Sequence, residues 1–327
     1  MSNKKILITG GAGYIGSVLT AYFLDRNFEV VVVDDLSTGN RNLIDSRAIF
    51  LNGSLLDKTF LIQALADIDT VIHCAAKSIV EESFLIQKDY FLVNTYGTKI
   101  LLDAMQSSGV DKVIFSSTAA VYGNSDIQPI SENSSPNAVN PYGESKYLAE
   151  ELISEYCLNG LAAITFRFFN VAGSYESKNK SLFFENHNNE SHLIPKFIEI
   201  MLRNAPDRGF EIYGDNWPTH DGSCIRDYLH VADLASAHLL ALNEFEKGVN
   251  KVFNLGSGIG HSVLQVVNEI EVVLGSKVDK HVSPPRKGDS AILLASISKA
   301  KKELGWVPKA NLNEIITSSL RGIKQQR

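Results

Sequence analysis

The 327-residue chain is 44% hydrophobic and 21% charged, a composition typical of soluble globular proteins and a length that allows two domains. Its net charge of −6, from 31 basic and 37 acidic residues, argues against a nucleic-acid-binding protein, which would present a basic surface. Three scattered cysteines, with no signal-peptide core and no apolar run of about 20 residues, favour a cytoplasmic location with no membrane partner. The histidines form no metal motif, so we expect no metal.

Short apolar strands alternate with helical segments through the first half of the chain. The strands are rich in β-branched residues and apolar on both faces, as expected inside a parallel sheet covered by helices. They are predicted at 4–9, 29–34, 48–52, 70–76, 112–117 and 162–170, with intervening helices that include 15–26, 94–108 and 143–158. This order predicts an α/β fold built on a doubly wound parallel (Rossmann) sheet with right-handed crossovers.

The alternation ends near residue 172, where a polar segment begins. Residues 174–192 are rich in Asn and Ser and are predicted to form a long loop. Beyond it we expect a short strand at 210–213, a buried strand at 251–256 that rejoins the first sheet, and helices at 193–203, 230–246, 261–274, 296–304 and 311–325. The sequence therefore predicts a first domain over 1–173, joined by later segments at about 230–265, and a smaller mixed α/β domain over 174–327.

A glycine-rich turn, "TGGAGYIG", follows the first strand directly and opens a helix. Gly10, Gly13 and Gly16 are spaced for a tight turn, close approach of the backbone to a pyrophosphate, and close packing of helix on strand. The phosphates would meet the unpaired N–H groups and the positive dipole end of that helix. Asp34 ends the second strand 18 positions after Gly16, where an acid binds the adenosine ribose and repels a 2′-phosphate. NAD is therefore favoured over NADP, the alternative being that Asp34 is only a turn residue of "DDLSTG".

Two further motifs bring hydroxyl, phenol and ammonium groups to the same sheet edge. "FSSTAAVYG" ends the fifth strand, where α/β proteins bind ligands, so the hydroxyls of Ser116, Ser117 and Thr118 are expected to face a cofactor. "PYGESK" begins the next helix, and its i, i+4 spacing puts Tyr142 and Lys146 on one face. The ammonium is expected to lower the pKa of the phenol, as would the charge of an oxidised nicotinamide. Tyr142 could then accept a proton from a substrate hydroxyl while hydride leaves for the cofactor.

These motifs lie in a chain that resembles the extended short-chain dehydrogenase/reductase family over almost its whole length. Within that family it is similar to the branch that epimerises UDP-hexoses at carbon 4. The resemblance is carried by "GGAGYIGS", "DDLSTGN", "VIHCAA", "FSSTAAVYG", "PYGESK", "RFFNVAG", "GDNWPTHDGSCIRDYLHVADLA", "FNLGSG", "KGD" and "ELGW". The longest of these is the most specific, because a generic Rossmann reductase has no reason to carry it. The resemblance implies NAD-dependent interconversion of UDP-glucose and UDP-galactose through a 4-keto intermediate.

The resemblance also implies roles for individual residues. Tyr142 is implied as the base, Lys146 as its tuning partner and a ligand of the cofactor ribose, and Thr118 as the hydroxyl beside the sugar 4-OH. Cofactor contacts are implied for Gly10, Gly13, Tyr14, Ile15, Gly16, Asp34, Asn94, Ser116, Tyr142 and Lys146. Substrate contacts are implied for Thr118, Tyr142, Asn170, Leu193, Tyr213, Arg226, Arg286 and Asp289, with His192 and Leu293 as further candidates. Arginines suit a diphosphate because the guanidinium makes paired, charge-assisted hydrogen bonds.

Several of these residues also have ordinary structural explanations. Arg226 is a candidate for a surface ion pair with Asp227, Arg286 for a solvated loop residue, and Asn170 for a cap of the sixth strand. Their joint occurrence in matching order favours the functional interpretation. His73 lies on a buried strand and is predicted to be a packed core histidine rather than a base.

The resemblance leaves the reaction partly open. The 4,6-dehydratases of this fold carry an Asp–Glu pair where this chain has Ala119 and Ala120, so dehydration is not expected. Leu293 occupies the gate of the sugar pocket, where Tyr restricts the family to non-acetylated sugars and a smaller residue admits an acetamido group. Leucine is intermediate, so a 4-epimerase of UDP-N-acetylglucosamine and UDP-N-acetylgalactosamine, or a dual-specificity enzyme, is the alternative. A non-catalytic NAD-binding protein is a third reading, against which the intact Thr118, Tyr142 and Lys146 argue.

The chain departs from the family pattern at two positions near the cofactor. Ser54 replaces an Asp expected at the adenine, and Ser78 replaces a Lys found in some members. Helices 94–108 and 143–158 resemble those that form a four-helix dimer interface in relatives. A homodimer that binds a UDP-sugar and no nucleic acid is therefore expected.

Overall fold

The computed structural model describes residues 4–186, 190–202, 209–286 and 288–325. The strands are β1 (Lys5–Thr9), β2 (Glu29–Asp34), β3 (Ile49–Asn52), β4 (Thr70–His73), β5 (Lys112–Thr118), β6 (Ala162–Phe168), β7 (Asn170–Ala172), β8 (Ser174–Glu176), β9 (Leu182–Phe184), β10 (Phe210–Tyr213), β11 (Ile225–His230), β12 (Asn250–Leu255), β13 (Gly260–Ser262), β14 (Lys280–Ser283) and β15 (Ile292–Leu293). The helices are α1 (Tyr14–Leu24), α2 (Lys58–Ala64), α3 (Val80–Leu85), α4 (Gln87–Tyr90), α5 (Gly97–Ser108), α6 (Pro141–Cys157), α7 (Leu193–Leu202), α8 (Val231–Ala241), α9 (Val263–Leu274), α10 (Ser298–Glu303) and α11 (Leu312–Gln325). Within these ranges, no helix combines the length and the apolar character needed to cross a bilayer.

Seven parallel strands form the main sheet, in the order β3–β2–β1–β4–β5–β6–β12. The order reverses between β1 and β4, which makes the sheet doubly wound, and this confirms the predicted Rossmann fold. The last strand, β12, pairs with β6 along its whole length, from Asn250 opposite Ala163 to Leu255 opposite Phe168. The strand predicted at 251–256 therefore does rejoin the first sheet.

Helices cover both faces of this sheet because its strands are apolar on both sides. Alternate side chains point to opposite faces, so Ile6 and Ile8 contact one core while Leu7 contacts the other, and all three are fully buried. The first core is covered by α1, α8 and α10, and the second by α2, α5 and α6. Trp306 closes the first core from beyond α10, and its indole donates to the Asp233 carbonyl at 2.9 Å.

The remaining elements pack around β11, which lies beyond the carboxyl edge of the main sheet. β11 pairs in parallel with β7 and β15 and antiparallel with β13, while β10 pairs with β14. A separate core fills the space between α7, α9, α11 and β10. Phe197, Ile270 and Ile316 are fully buried there.

The polar segment predicted as one long loop at 174–192 is not loop throughout. β8 and β9 form a short antiparallel hairpin in its first half, and residues 187–189 lie outside the described ranges. Asp25, at the end of α1, anchors the hairpin by accepting the Tyr175 hydroxyl at 2.7 Å and the Lys178 N–H at 2.9 Å. These partners are more than 140 residues apart, so no local pattern in the segment indicates them.

The start of α9 allows a test of local stability. Ser262 and Gln265 form a capping box, in which the Ser262 hydroxyl accepts the Gln265 N–H at 3.1 Å and the Gln265 side chain accepts the Ser262 N–H at 2.9 Å. We expect Ser262→Ala to lower the free energy of unfolding by about 1–2 kcal/mol, because it leaves a first-turn N–H unpaired. Urea titration measures this difference, with Ser276→Ala at an exposed position beyond the same helix as the control. Equal stability of the two variants would contradict the assignment.

Candidate active site

One cavity of about 430 Å³ opens at the carboxyl edge of the main sheet, where doubly wound sheets bind their ligands. The candidate residues that line it are Gly10, Gly13, Tyr14, Ile15, Gly16, Ser116, Thr118, Tyr142, Lys146, Asn170, His192, Leu193, Arg226, Asp289 and Leu293. Four other candidates, Asp34, Asn94, Tyr213 and Arg286, lie beside the cavity wall rather than in it. The structure thus brings together residues from positions 10 to 293.

The glycine-rich turn between β1 and α1 forms a cradle that fits a dinucleotide. A Cβ on Gly16 would lie 2.2 Å from the Gly10 carbonyl oxygen, and Gly10 itself has φ of +69°, so both positions require glycine for packing. A Cβ on Gly13 would meet only the Gly10 oxygen, at 3.3 Å. Because Gly13 is also the N-cap of α1, the open space before it lies at the positive end of the helix dipole. This arrangement suits a pyrophosphate.

Asp34 and Asn94 do not line the cavity, but they hold in place segments next to its proposed cofactor side. The Asp34 carboxylate accepts the Ala12 N–H at 3.0 Å and the Leu36 N–H at 2.8 Å, and burial raises its pKa. It therefore ties the glycine-rich turn to the end of β2. Asn94 accepts the Lys77 N–H at 2.8 Å and donates to Ser145 Oγ at 2.9 Å, which fixes the segment after β4 against α6.

Local packing at the start of α6 explains how Tyr142 reaches the cavity. The helix begins at Pro141, and the Asn140 side chain caps it by accepting the Gly143 N–H at 2.8 Å. A Cβ on Gly143 would lie 2.5 Å from the Ala120 carbonyl oxygen, so glycine lets the helix start directly against the turn that follows β5. This contact brings the Tyr142 phenol within hydrogen-bonding reach of the Thr118 hydroxyl.

The ionisation of the Tyr142 phenol differs from the sequence-based prediction. Burial raises the pKa of Tyr142, and only the hydrogen bond with Thr118 opposes that rise. The Lys146 ammonium donates to the Ser116 carbonyl at 2.8 Å, and burial lowers its own pKa to about 8. The predicted lowering of the Tyr142 pKa is therefore wrong, because burial raises it and the Lys146 ammonium is directed to the Ser116 carbonyl.

The sequence suggested that all three hydroxyls at the end of β5 face the cofactor. The structure directs one of them elsewhere. Ser117 Oγ donates to the buried Glu150, whose carboxylate is paired with Arg167. Ser116 Oγ points the other way and contacts Cys74 Sγ at 3.2 Å. Successive side chains of a strand alternate in direction, so Ser116 and Thr118 share one face and Ser117 occupies the other.

Arg226 and Asp289 also line the cavity. The Arg226 guanidinium donates to the Ser290 carbonyl at 2.8 Å and lies 3.4 Å from Asp289 Oδ1. Asp227 points away and is fully buried, accepting from Ser257, Gly258 and Ala295. The suggested surface pair between Arg226 and Asp227 is therefore wrong, since neighbouring side chains on β11 project to opposite faces.

Several other predicted residues take clear positions. His73 is a core residue as predicted, with its ring nitrogens 2.7 Å from Thr9 Oγ1 and 2.9 Å from Thr98 Oγ1, and burial lowers its pKa to about 3. Arg286 is not simply solvated, because its guanidinium lies 3.9 Å from the centroid of the Tyr213 ring. Asn170 begins β7 and lines the cavity.

The sequence analysis missed an acidic pair beside His192. His192 Nδ1 lies 2.8 Å from Glu185 Oε1 and 2.9 Å from Glu190 Oε1, and these carboxylates raise the pKa of the imidazole well above its usual value. Glu185 also lines the cavity. The three ligand atoms lie within 4.8 Å of one another, a spacing compatible with a metal ion, but the ion pairs by themselves account for the arrangement. The carboxylates lie in a segment with no recognisable motif, so the sequence offered no signal for them.

Residues 6–256 match the NAD dependent epimerase/dehydratase family. A UDP-glucose 4-epimerase from Corynebacterium glutamicum is 42% identical over 306 residues, which cover 93% of this chain and 91% of the relative. The crystal structure of UDP-glucose 4-epimerase from Stenotrophomonas maltophila, with bound NAD and formylated UDP-arabinopyranose, has a TM-score of 0.92 at 34% identity and covers 99% of this chain and 98% of that one. The UDP-Glc/GlcNAc 4-epimerase from Campylobacter jejuni has a TM-score of 0.84, also at 34% identity, covering 98% and 99%. The chain therefore belongs to the NAD-dependent epimerase/dehydratase family.

Proposed function

We propose that the protein is an NAD-dependent 4-epimerase that interconverts UDP-glucose and UDP-galactose. The observation that carries the proposal is the convergence of Thr118, Tyr142 and Lys146 on a single cavity that Arg226 also lines. A glycine cradle borders the same cavity. Relatives of this family that match over more than nine-tenths of the chain are UDP-glucose 4-epimerases.

The residues of the chain divide the work of this reaction. NAD, when bound, supplies the hydride acceptor and then the donor for carbon 4 of the sugar. Tyr142 is the proposed base that takes the proton of the 4-OH and later returns it to the 4-keto group, with Thr118 orienting that oxygen. Lys146 is the proposed ligand of the NAD ribose, and its ammonium donates to the Ser116 carbonyl near the end of β5.

The cofactor and substrate contacts are proposals of the same kind. The turn at 10–16 would hold the pyrophosphate of NAD, and Asp34 the adenosine ribose. Arg226 and Asp289 would hold the UDP part of the substrate, leaving the sugar free to present either face at carbon 4. This division assigns NAD to residues 1–173 with the returning segments at about 230–265, and the UDP-sugar to residues 174–327.

An enzyme that acts on acetylated UDP-sugars is the second candidate. Leu293 lines the cavity, and its side chain is smaller than the tyrosine that closes the sugar pocket in the non-acetylated branch of the family. The similar Campylobacter jejuni protein is a UDP-Glc/GlcNAc 4-epimerase. This favours testing both sugars on the same preparation.

The deciding experiment uses purified protein without added NAD. It is incubated separately with UDP-galactose and with UDP-N-acetylgalactosamine, and the 4-epimers are followed by NMR. We expect UDP-glucose from UDP-galactose. Turnover of neither substrate would overturn the proposed function, and turnover of the acetylated substrate alone would establish the second candidate instead.

The ionisation of Lys146 predicts how the activity depends on pH. Burial lowers the pKa of this group to about 8, so the ammonium is present below that pH and is lost above it. We therefore expect kcat/KM for UDP-galactose to fall above about pH 8, because a neutral Lys146 no longer offers a charged donor to the ribose of NAD, the contact that the resemblance implies. Measuring kcat/KM between about pH 6.5 and about pH 9.5 tests this prediction. A profile that stays flat to the upper limit would contradict it.

Compartment and assembly are also part of the proposal. Cys74, Cys157 and Cys224 are free thiols, which supports work in the reducing cytoplasm. A homodimer through α5 and α6 is proposed from the resemblance of these helices to an interface in relatives. Light scattering on the purified protein tests the assembly.

A further inference from the structure

An ion pair joins two segments of the chain that lie next to residues lining the cavity. Glu81 lies in the first turn of α3, directly after Ser78 and Val80, which line the cavity. Arg286 lies shortly before residues 288–290, which also line the cavity. Arg286 Nε is 3.3 Å from Glu81 Oε1. The pair therefore joins the element that follows β4, on the cofactor side, to the segment between β14 and β15.

The guanidinium of Arg286 is positioned mainly by an aromatic ring. Its Cζ atom lies 3.9 Å from the centroid of Tyr213, a distance typical of a cation–π contact. The Nε atom is buried and, among the residues that the structure describes, has no hydrogen-bond partner of suitable geometry besides its ionic contact with Glu81. The Arg286 guanidinium therefore lies over Tyr213 with donor capacity that Glu81 does not satisfy.

The contact with Glu81 is weak enough to be exchanged for a better anion. The Glu81 side chain is 64% exposed and that of Arg286 is 35% exposed. Exposed pairs of this kind contribute little to stability, and a released Glu81 carboxylate regains its water at little cost. A diphosphate offers more negative charge, and its oxygens match the guanidinium fork in charge-assisted pairs. The diphosphate should therefore displace Glu81 from Arg286. The free energy needed to break the Glu81 contact lowers the affinity for the diphosphate.

We propose that Glu81 is a positioning residue that holds Arg286 beside the cavity. Glu81 also competes with the diphosphate of a UDP-sugar for the Arg286 guanidinium. Glu81 thereby limits the affinity of the site for UDP. The exchange also couples α3 to the segment around Arg286, because the contact between Glu81 and Arg286 is lost when the diphosphate binds. This inference rests on the proposed function, which supplies the diphosphate.

The test is the affinity of the purified holoenzyme for UDP, measured by isothermal titration calorimetry. Glu81→Gln should lower the Kd of UDP by about two- to fivefold, because the neutral amide no longer competes for the guanidinium. Glu81→Asp keeps the charge but shortens the side chain, and it should change the Kd in the same direction. Glu82→Gln is the matched control, since it removes the adjacent charge on α3, where Glu82 accepts the Tyr90 hydroxyl at 2.9 Å rather than Arg286.

A double-mutant cycle separates the proposed contact from a general loss of negative charge. In an Arg286→Ala background, Glu81→Gln should leave the Kd of UDP unchanged, because the guanidinium for which Glu81 and the diphosphate compete is absent. An unchanged or weaker affinity in Glu81→Gln alone, or an equal gain in Glu82→Gln, would overturn the inference. Neither result would touch the proposed function, which fails only if the unmodified protein converts neither UDP-sugar.

Discussion

Replacing Tyr142 by phenylalanine should lower kcat for UDP-galactose by about 10²–10⁴-fold, the usual range for loss of a general base. The phenol lies within hydrogen-bonding reach of Thr118, and phenylalanine retains the ring and its packing against Tyr90. The Kd of UDP should stay within about twofold of wild type, because Arg226 and Asp289, the residues proposed to hold UDP, belong to other elements of the chain. Steady-state kinetics and calorimetry give the two numbers.

Tyr147 provides the matched control on the same helix. It packs against a small core that contains Val121 and Ile130 and does not belong to the cavity wall. Tyr147→Phe should therefore retain most of the activity. Activity near wild type in Tyr142→Phe would mean that another group takes the proton, and the role of Tyr142 would have to be abandoned.

Substituting valine for Gly13 should yield protein that folds but purifies with less than about a tenth of the wild-type NAD content. Gly13 has φ of −82° and ψ of 172°, an extended conformation that valine adopts readily. A Cβ there meets only the Gly10 oxygen, so the added methyl groups would project into the space proposed for the pyrophosphate. NAD is quantified by chromatography after acid release from the purified protein, and a melting curve checks the fold.

Ser17→Ala is the control for this substitution, since Ser17 lies one turn along α1 and donates to the Tyr14 carbonyl at 2.9 Å. That variant should retain NAD. Gly16→Val is a less informative choice, because a Cβ only 2.2 Å from the Gly10 oxygen would disturb the turn itself. A Gly13→Val protein with full NAD content would show that the cofactor does not approach this turn.

Local patterns accounted for most of the fold. Strands such as Glu29–Asp34 and Phe210–Tyr213 were predicted at their observed bounds, because runs of apolar, β-branched residues end abruptly at polar or glycine positions. The main error was the segment at 174–192, where β8 and β9 form a hairpin. Its stability depends on Asp25 and on the burial of Phe183 and Phe184, which are contacts with distant parts of the chain.

The sequence predicted which residues meet at the site better than it predicted their ionisation. Motif spacing was sufficient to place Gly10, Gly13, Thr118, Tyr142 and Lys146 at one sheet edge, because the carboxyl ends of parallel strands meet there. Spacing along the chain carries no information about desolvation. The direction of the Tyr142 pKa shift was therefore predicted wrongly, since burial of the phenol raises it.

By itself the sequence determined the doubly wound sheet, the nucleotide-binding turn and the pairing of a phenol with an ammonium one helical turn apart. These features depend on residues close together in the chain, where periodicity and spacing are direct physical constraints. Only the tertiary structure decided that Arg226 contacts Asp289, that Ser117 faces Glu150 and that Arg286 lies between Tyr213 and Glu81. Those partners are 33 to 205 residues apart, so they meet only when the strands and helices have packed.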